Sequence, residues 1–120
     1  AFYEVELPGV FAVVHPVGTV LGRARYSDYF CAYQSVSVGA DPFSGRAPVF
    51  GEGVVMYGGA RAIGDVRIGA NCLISAGTSI VAHGGQSCNV PDGHVAFSAA
   101  PFSTKPSRRN VKRDIFKDVT

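Results

Sequence analysis

An apolar residue returns at every sixth position through most of this chain. The pattern runs in two series, which are Val14, Val20, Tyr26, Ala32 and Val38, followed by Phe50, Met56, Ala62, Ile68, Ile74 and Ile80. Each hexad can supply one short flat strand and one corner, and three hexads then make one coil. Coils stack at the usual strand spacing of about 4.8 Å. The rhythm therefore predicts a hexapeptide-repeat parallel β-helix, in which the apolar residues fill the interior of a prism.

A second position of the hexad, four residues after the first, is mostly small. Its members are Gly18, Ala24, Phe30, Val36, Val54, Ala60, Val66, Cys72 and Thr78. We interpret them as the residues that let the chain turn between strands. The 15 glycines agree with a structure made largely of corners, because glycine adopts backbone conformations that are closed to other residues.

The rhythm stops at residues 39–49, which contain two prolines and two glycines. This is the composition of a loop, and we interpret it as a segment extruded from one corner. After the last coil, Ser107 is placed to cap a short helix whose apolar residues fall four apart. The sequence thus predicts a single domain that is all-β over residues 1–106 and ends in a basic helix over residues 107–120.

The composition limits where such a chain works. Its 120 residues suit one folded domain, and 47% of them are apolar. No apolar run reaches the length of a membrane span and no signal peptide is visible, so we expect no membrane partner. Cys31, Cys72 and Cys88 form no metal-binding or disulfide pattern, which indicates free thiols in the reducing cytoplasm. Because the chain opens inside an apolar segment, we also expect it to be a processed product or a fragment of a longer protein.

Positive charge is concentrated at the C-terminus. Residues 105–120 carry a net charge of +4, and the rest of the chain carries −2. Basic tails occur in nucleic-acid-binding proteins, but this one lacks interleaved aromatic residues and any nucleic-acid motif. We therefore expect a solvated helix or a contact with phosphate groups, and no nucleic-acid partner.

One histidine stands where it could act as a base. His15 directly follows Val14 and precedes Pro16, which puts it near a corner and outside the interior. An imidazole titrates near neutrality and can accept a proton from a hydroxyl group. The residues alone leave two interpretations open, a general base and an ordinary surface histidine.

The stretch from His15 to Gly39 resembles that of a known family. It reads His-Pro-Val-Gly-Thr-Val-Leu-Gly at its start and Gln-Ser-Val-Ser-Val-Gly at its end. Both parts are similar to the catalytic stretch of the serine acetyltransferases, which are hexapeptide-repeat acyltransferases, with a spacing that differs by one residue. The resemblance covers residues 14–102, including Gly53–Ala60 and Ile63–Asn71.

This resemblance implies a left-handed β-helix, a homotrimer, and acetyl-CoA bound in a groove between neighbouring subunits. The handedness rests on the resemblance alone, since parallel crossovers are otherwise right-handed. The resemblance also implies that His15 deprotonates an acceptor hydroxyl, which then attacks the thioester carbonyl directly. The main chain at Gly39, Gly58 and Ala76 would line the pantetheine arm, where a backbone N–H can support the developing oxyanion.

Several positions depart from the pattern of that family. Val14 stands where the family has an aspartate, and Ala47 stands where it has a histidine; both family residues serve the serine substrate. An aspartate that orients the base would fall before Ala1, and Glu4 or Glu6 is a candidate to replace it. Serine, a sugar and another small alcohol therefore all remain open as acceptors. The alternative functions are N-acetylation of an amino sugar nucleotide and a non-catalytic trimeric scaffold.

Other side chains are candidates for binding. Asp28, Gln34 and Arg46 could contact the acceptor, and a guanidinium such as that of Arg46 binds carboxylate or phosphate groups in a bidentate manner. Lys105 and Arg108 follow the last coil, where the nucleotide end of CoA would emerge, and could contact its phosphates.

No metal site is expected from the histidines. The carbonic anhydrases of this architecture use several histidines as zinc ligands. Here His83 and His94 lie outside the matched catalytic stretch, and we expect them on the surface.

Overall fold

Thirteen short strands and one helix form the described part of the chain. The computed structural model describes residues 5–82, 85–98 and 101–116. The elements are β1 (Phe11–Val13), β2 (Val20–Leu21), β3 (Phe30–Ala32), β4 (Ser37–Gly39), β5 (Val49–Phe50), β6 (Val54–Met56), β7 (Arg61–Ile63), β8 (Val66–Ile68), β9 (Cys72–Ile74), β10 (Ser79–Val81), β11 (Cys88–Val90), β12 (His94–Phe97), β13 (Ser103–Pro106) and α1 (Val111–Asp114). No helix among these residues is long and apolar enough to cross a membrane.

From β3 to β12, successive strands visit three sheets in turn, and the three sheets form the faces of a prism. Face 1 contains β1, β3, β6, β9 and β12, face 2 contains β2, β4, β7 and β10, and face 3 contains β5, β8 and β11. Neighbouring strands within each face pair in parallel. Val54 pairs with Cys72, so a regular coil has 18 residues, as three hexads require. The prediction of a hexapeptide-repeat parallel β-helix is confirmed.

The apolar residues of the hexads fill the interior. From Tyr26 to Ile80, every leading residue of a hexad is 9% exposed or less. At one end of the prism, Tyr26 stacks on Phe50 with ring centroids 5.4 Å apart, and Phe30 lies against both rings. The Tyr26 hydroxyl donates a hydrogen bond to the Gly22 carbonyl oxygen at 2.8 Å, and burial raises the pKa of this tyrosine. Burying these rings is a large part of the hydrophobic stabilisation of the first coils.

The hexad register is wrong for the first two leading residues. Val20 is 44% exposed, and Thr19 and Leu21 on either side of it are buried instead. Val14 is partly buried, but it packs outside the prism against the cluster that contains Cys31. The cause is the corner after β1, which uses two more residues than the equivalent corner of the next coil.

The interruption in the rhythm is an extruded loop between β4 and β5, as the composition indicated. Asp41 organises it from a buried position, because its carboxylate accepts hydrogen bonds from the Phe43 N–H and the Ser44 hydroxyl, both at 3.0 Å. The Asp41 N–H donates to the carbonyl oxygen of Arg46 at 2.8 Å, which closes the base of the loop. These hydrogen bonds therefore fix the backbone conformation at the base of the loop, from which the exposed tip projects.

The C-terminal segment covers the last strand and the outer surface of face 1. Strand β13 pairs antiparallel with β12, which protects the edge that β12 would otherwise expose. Helix α1 packs Val111 against Cys31 and Val55 on the outer surface of face 1, and Phe116 belongs to the same cluster.

Asn110 caps this helix by accepting a hydrogen bond from the Arg113 N–H at 2.8 Å. The expectation that Ser107 is the cap is therefore wrong; its hydroxyl oxygen accepts instead from the Arg109 N–H at 3.1 Å. The described helix is only Val111–Asp114. Because residues 117–120 lie outside the described residues, the boundary at 107–120 stays a prediction.

Candidate active site

His15 lies at the corner that carries the extra residues. Its side chain is exposed, and its backbone is in the left-handed region with φ of 49°. The His15 carbonyl oxygen accepts a hydrogen bond from the Val17 N–H at 2.7 Å, which holds the corner in this tight conformation. A non-glycine residue in this region of φ is uncommon and costs free energy, so the fold maintains the backbone that presents the imidazole to solvent.

Four of the sequence-predicted residues share this corner in consecutive coils. The strand register pairs Val13 with Ala32, Ala32 with Met56, and Met56 with Ile74. Two positions after Ala32, Met56 and Ile74 come Gln34, Gly58 and Ala76. In the first coil the Ser35 N–H donates to the Val17 carbonyl oxygen at 2.9 Å, so Val17 is in register with Gln34, and His15 lies two positions earlier at the same corner. The Gly59 N–H donates to the Gln34 carbonyl oxygen, and the Gly77 N–H to the Gly58 carbonyl oxygen, both at 3.0 Å. We call His15, together with the row of Gln34, Gly58 and Ala76, the His15 column.

Within the His15 column, the Gln34 side chain lies over the backbone of Gly58. A Cβ atom at position 58 would stand 2.9 Å from Gln34 Nε2, which is closer than Cβ atoms approach. Glycine at this position therefore lets the amide fold against the main chain. The side chain of Gln34 is exposed and adds a donor and an acceptor to this corner in the coil that follows His15.

Gly39 and Arg46 lie on the opposite side of face 2 from the His15 column. Gly39 ends β4 and pairs with Ile63. Arg46 is in the extruded loop, where its guanidinium is 3.9 Å from the Asp65 carboxylate and its side chain is 64% exposed. An exposed pair at this distance contributes little to stability, so the guanidinium stays available to an anionic group.

The structure does not bring Asp28 into the His15 column. Asp28 lies at the corner before β3, where its carboxylate accepts a hydrogen bond from the Val10 N–H at 3.3 Å. Its backbone carbonyl oxygen accepts from the Gly53 N–H at 3.0 Å. These contacts fasten the N-terminal segment to the coil, and the role of Asp28 at the acceptor stays a prediction.

The two basic residues predicted to contact CoA phosphates lie beyond the last coil. Lys105 is in β13, with its Nζ atom 5.6 Å from the centroid of the Phe97 ring, and Arg108 follows the end of that strand. Both side chains are exposed. Their contact with CoA stays a prediction.

Of the two proposed carboxylate partners of His15, only Glu6 lies among the described residues, and no contact joins it to His15 there. Glu6 lines a cavity of about 390 Å³ at the start of the prism, together with Arg25 and Tyr26. Glu4 lies outside the described residues. Within the described ranges, no group of three or more histidine, cysteine, aspartate or glutamate side chains is placed to hold a metal ion.

Two tyrosines beside the His15 column were not singled out from the sequence. Tyr33 and Tyr57 directly precede Gln34 and Gly58, are partly exposed, and have ring centroids 5.1 Å apart with an angle of 30° between the rings. Burial, with smaller effects from Cys31 and Tyr57, raises the pKa of Tyr33. The signal that could have found them is their shared place in the hexad, one position before the matched glutamine and glycine.

Comparisons with known proteins show similarity to serine acetyltransferases. No family model matches the chain. A curated serine acetyltransferase from Synechococcus elongatus is 35% identical over 85 residues, which cover 68% of this chain and 34% of that protein. The chain thus spans about a third of the length of this relative.

Solved structures give the same result. The serine acetyltransferase of Neisseria gonorrhoeae superposes with a TM-score of 0.74 and 25% identity, over 88% of this chain and 40% of the other. That of Brucella abortus superposes with a TM-score of 0.72 and 25% identity, over 87% and 41%. The predicted resemblance to the hexapeptide-repeat acyltransferases is confirmed. The predicted fold class of these acyltransferases, a left-handed β-helix, is likewise confirmed.

A second kind of acyltransferase shares the fold. The maltose O-acetyltransferase of Clostridium difficile superposes with a TM-score of 0.66 and 16% identity, over 90% of this chain and 61% of the other. A serine acetyltransferase has also been solved in complex with CoA, and it superposes with a TM-score of 0.65 and 22% identity over 82% of this chain. At these identities, the two structures support the shared fold alone.

Proposed function

We propose that this chain carries the transfer site of an acetyl-CoA-dependent O-acetyltransferase with His15 as the general base. The observation that carries the proposal is the His15 column, in which His15 lies at the same corner as Gln34, Gly58 and Ala76, three residues that stack in register in the coils after it. The identity to a serine acetyltransferase supports the same reaction class.

The proposed reaction is a direct transfer. The imidazole of His15 takes the proton from the acceptor hydroxyl, and the oxygen attacks the thioester carbonyl of acetyl-CoA. The carbon–sulfur bond then breaks, and the CoA sulfur leaves with the proton that the imidazole held. The products are the acetyl ester of the acceptor and free CoA.

The co-substrate would lie along the side of the prism. Its pantetheine arm would follow the main chain at Gly58 and Ala76, with Gly39 on the other side of face 2, and Lys105 and Arg108 would contact its phosphates. Backbone N–H groups at this corner can stabilise the oxyanion that forms on the thioester carbonyl. A groove of this kind is completed by a neighbouring subunit, so we propose a homotrimer, which light scattering after size-exclusion chromatography would detect.

The acceptor side of the site is proposed in coarser terms. Gln34 lies one coil from His15 and can hydrogen-bond to a hydroxyl-bearing acceptor, and Arg46 on the extruded loop can bind an anionic group of that acceptor. The acceptor is a small molecule with a reactive hydroxyl, such as serine or a sugar.

The test is the release of CoA from acetyl-CoA, measured by chromatography with L-serine and with sugars as acceptors. General acid–base catalysis contributes about 10²–10⁴-fold, so His15→Asn should lower the rate by at least 100-fold. His94→Asn is the matched control, because His94 belongs to strand β12 outside the His15 column. Equal rates in the His15 variant and the parent would contradict the proposal. A chain that does not bind CoA in calorimetry would instead be a scaffold.

A further inference from the structure

We propose that Tyr33, Tyr57 and the groove beside them bind a saccharide, so that the acceptor is a carbohydrate with at least two sugar units. This inference rests on the proposed function, because it assigns the acceptor of that site. It concerns residues on the face 1 side of the corner, next to the His15 column.

The two tyrosines form a rigid aromatic surface. The Tyr33 N–H donates to the Met56 carbonyl oxygen at 3.0 Å, and the Tyr57 N–H donates to the Ile74 carbonyl oxygen at 2.9 Å. The buried hydroxyl of Thr19 donates to the Tyr33 carbonyl oxygen at 2.9 Å. With the ring centroids only 5.1 Å apart, each ring also limits the movement of the other. Little conformational entropy is therefore lost when a ligand covers them.

A groove continues from this surface towards helix α1. It has a volume of about 270 Å³ and is lined by Tyr57, Leu73, Arg109, Val111, Asp114 and Ile115. Its walls combine an aromatic ring and aliphatic side chains with one guanidinium and one carboxylate. A sugar ring has the matching chemistry, because its C–H groups form apolar faces and its hydroxyls form a polar rim.

The same surroundings suit an amino acid poorly. Val14 is the residue stacked below Tyr33, so the surface that runs towards His15 starts as an aliphatic and aromatic strip. A free amino acid carries two charged groups next to its hydroxyl, and the side chains of this strip, Val14, Tyr33 and Tyr57, offer no opposite charge to either of them, so burying those charges against the strip is costly. A saccharide brings no charge to this strip and can cover it.

The distance between Val14 and Tyr57 sets the minimum length of the acceptor. Val14 and Tyr57 are two coils apart in the register, which corresponds to roughly 10 Å at the usual strand spacing. A sugar unit that presents a hydroxyl to His15 cannot also fill the groove beyond Tyr57. The unit that reacts and the unit that stacks are therefore different units of one chain.

The first experiment measures binding without acetyl-CoA. Saturation-transfer NMR would be recorded with maltose, cellobiose, lactose and N,N′-diacetylchitobiose, and with L-serine as the comparison. We expect transfer to at least one disaccharide in the parent, retained in Tyr57→Phe and reduced about tenfold in affinity in Tyr57→Leu, which corresponds to ~1.4 kcal/mol. Tyr57→Leu keeps apolar volume, so loss of fold is not expected, and circular dichroism checks it. Phe43→Ala is the control, since Phe43 is 97% exposed on the extruded loop.

The second experiment separates this inference from the proposed function. With a disaccharide that supports CoA release, Tyr57→Leu should raise KM about tenfold and change kcat little, whereas His15→Asn should lower kcat. If no disaccharide of the panel binds, or if Tyr57→Leu binds as well as the parent, the inference is wrong even if serine is acetylated. If a disaccharide binds in the groove and no CoA is ever released, the saccharide site stands, but the proposed transfer reaction fails and with it the assignment of the saccharide as its acceptor.

Discussion

Removing the side chain of Asn71 should release helix α1 from the outer surface of face 1. The Asn71 amide donates to the Arg109 carbonyl oxygen at 3.0 Å and accepts from the Val111 N–H at 2.7 Å. These two hydrogen bonds fasten the segment before the helix to the corner between faces 3 and 1. The helix in turn covers Cys31, whose thiol has a pKa raised to about 11 by burial.

The expected magnitude follows from those two bonds. A hydrogen bond of this kind contributes about 1 kcal/mol, so Asn71→Gly should weaken the docking of the helix by about 2 kcal/mol. Glycine accepts the φ of 58° at this position without strain, so the loss reports the hydrogen bonds alone. Asn71→Ala should cost roughly 1 kcal/mol more, because a Cβ atom is disfavoured in the left-handed region.

Thiol labelling measures this opening. In a Cys88→Ser background, Cys31 reacts only when the helix leaves, so 2 kcal/mol should speed its labelling about 30-fold. Asn89→Ala, at an exposed position of face 3, is the control and should leave the rate unchanged. Labelling of Cys31 that stays within threefold of the parent would refute the reasoning. So would equal acceleration at Cys72 inside the prism, because that would report global unfolding.

Three further predictions concern stability. Thr78→Val should raise the free energy of unfolding by about 1 kcal/mol in chemical denaturation, because the buried Thr78 hydroxyl has no hydrogen-bond partner among the described residues, whereas Thr19→Val should lower it. Gly64→Ala should lower the free energy of unfolding by roughly 2–4 kcal/mol, because a Cβ atom there would collide with a backbone carbonyl. Gly77→Ala should lower it by about 1 kcal/mol, because residue 77 has a similar φ but open space around the position of the Cβ atom. The folded form of helix α1 should become less stable as the pH falls from 3.8 towards 2, because the neighbouring arginine lowers the pKa of Asp114 to about 2. NMR spectra recorded over this pH range would measure the change.

Each of these predictions has a result that would contradict it. Equal decreases in the free energy of unfolding for Thr78→Val and Thr19→Val would mean that the Thr78 hydroxyl has a hydrogen-bond partner. Equal melting temperatures for the two glycine variants would exclude the collision at Gly64. A helix signal that is unchanged down to pH 2 would show that the ionised Asp114 does not hold the helix, since a lowered pKa stabilises the folded state only while the carboxylate stays charged.

The sequence predicted the prism from Tyr26 to Ile80 because a strict period of six has one structural solution. The predicted hexad register is wrong in the first coil for a specific reason. Val20 and Leu21 are both apolar, so the pattern cannot decide which of them points inward. The corner after β1 adds two residues and the next one removes one, and these changes nearly cancel. The series from Val14 to Tyr26 therefore looks regular although the register has shifted.

The candidate site was predictable where it depends on register and not where it depends on tertiary packing. His15, Gln34, Gly58 and Ala76 were placed by the matched stretch, and the strand pairing brings them to one corner. The groove could not be predicted, because helix α1 and the residues that flank it supply four of its six lining residues. That helix reaches face 1 through Asn71, a contact between positions 40 residues apart that no local pattern indicates.

The irregular corners explain why one end of a repetitive solenoid can acquire chemistry. In a perfectly regular prism every coil presents the same corner, and no corner can bind a ligand that the others do not. Here the repeat is broken at the His15 corner and again at the extruded loop, on the two sides of face 2. Restoring the period at either place would strengthen the repeat. It would also remove the backbone conformation that exposes the imidazole, or the loop that carries Arg46. Under the proposed function, the departures from the hexad are thus the part of the sequence that separates a transfer site from a plain scaffold.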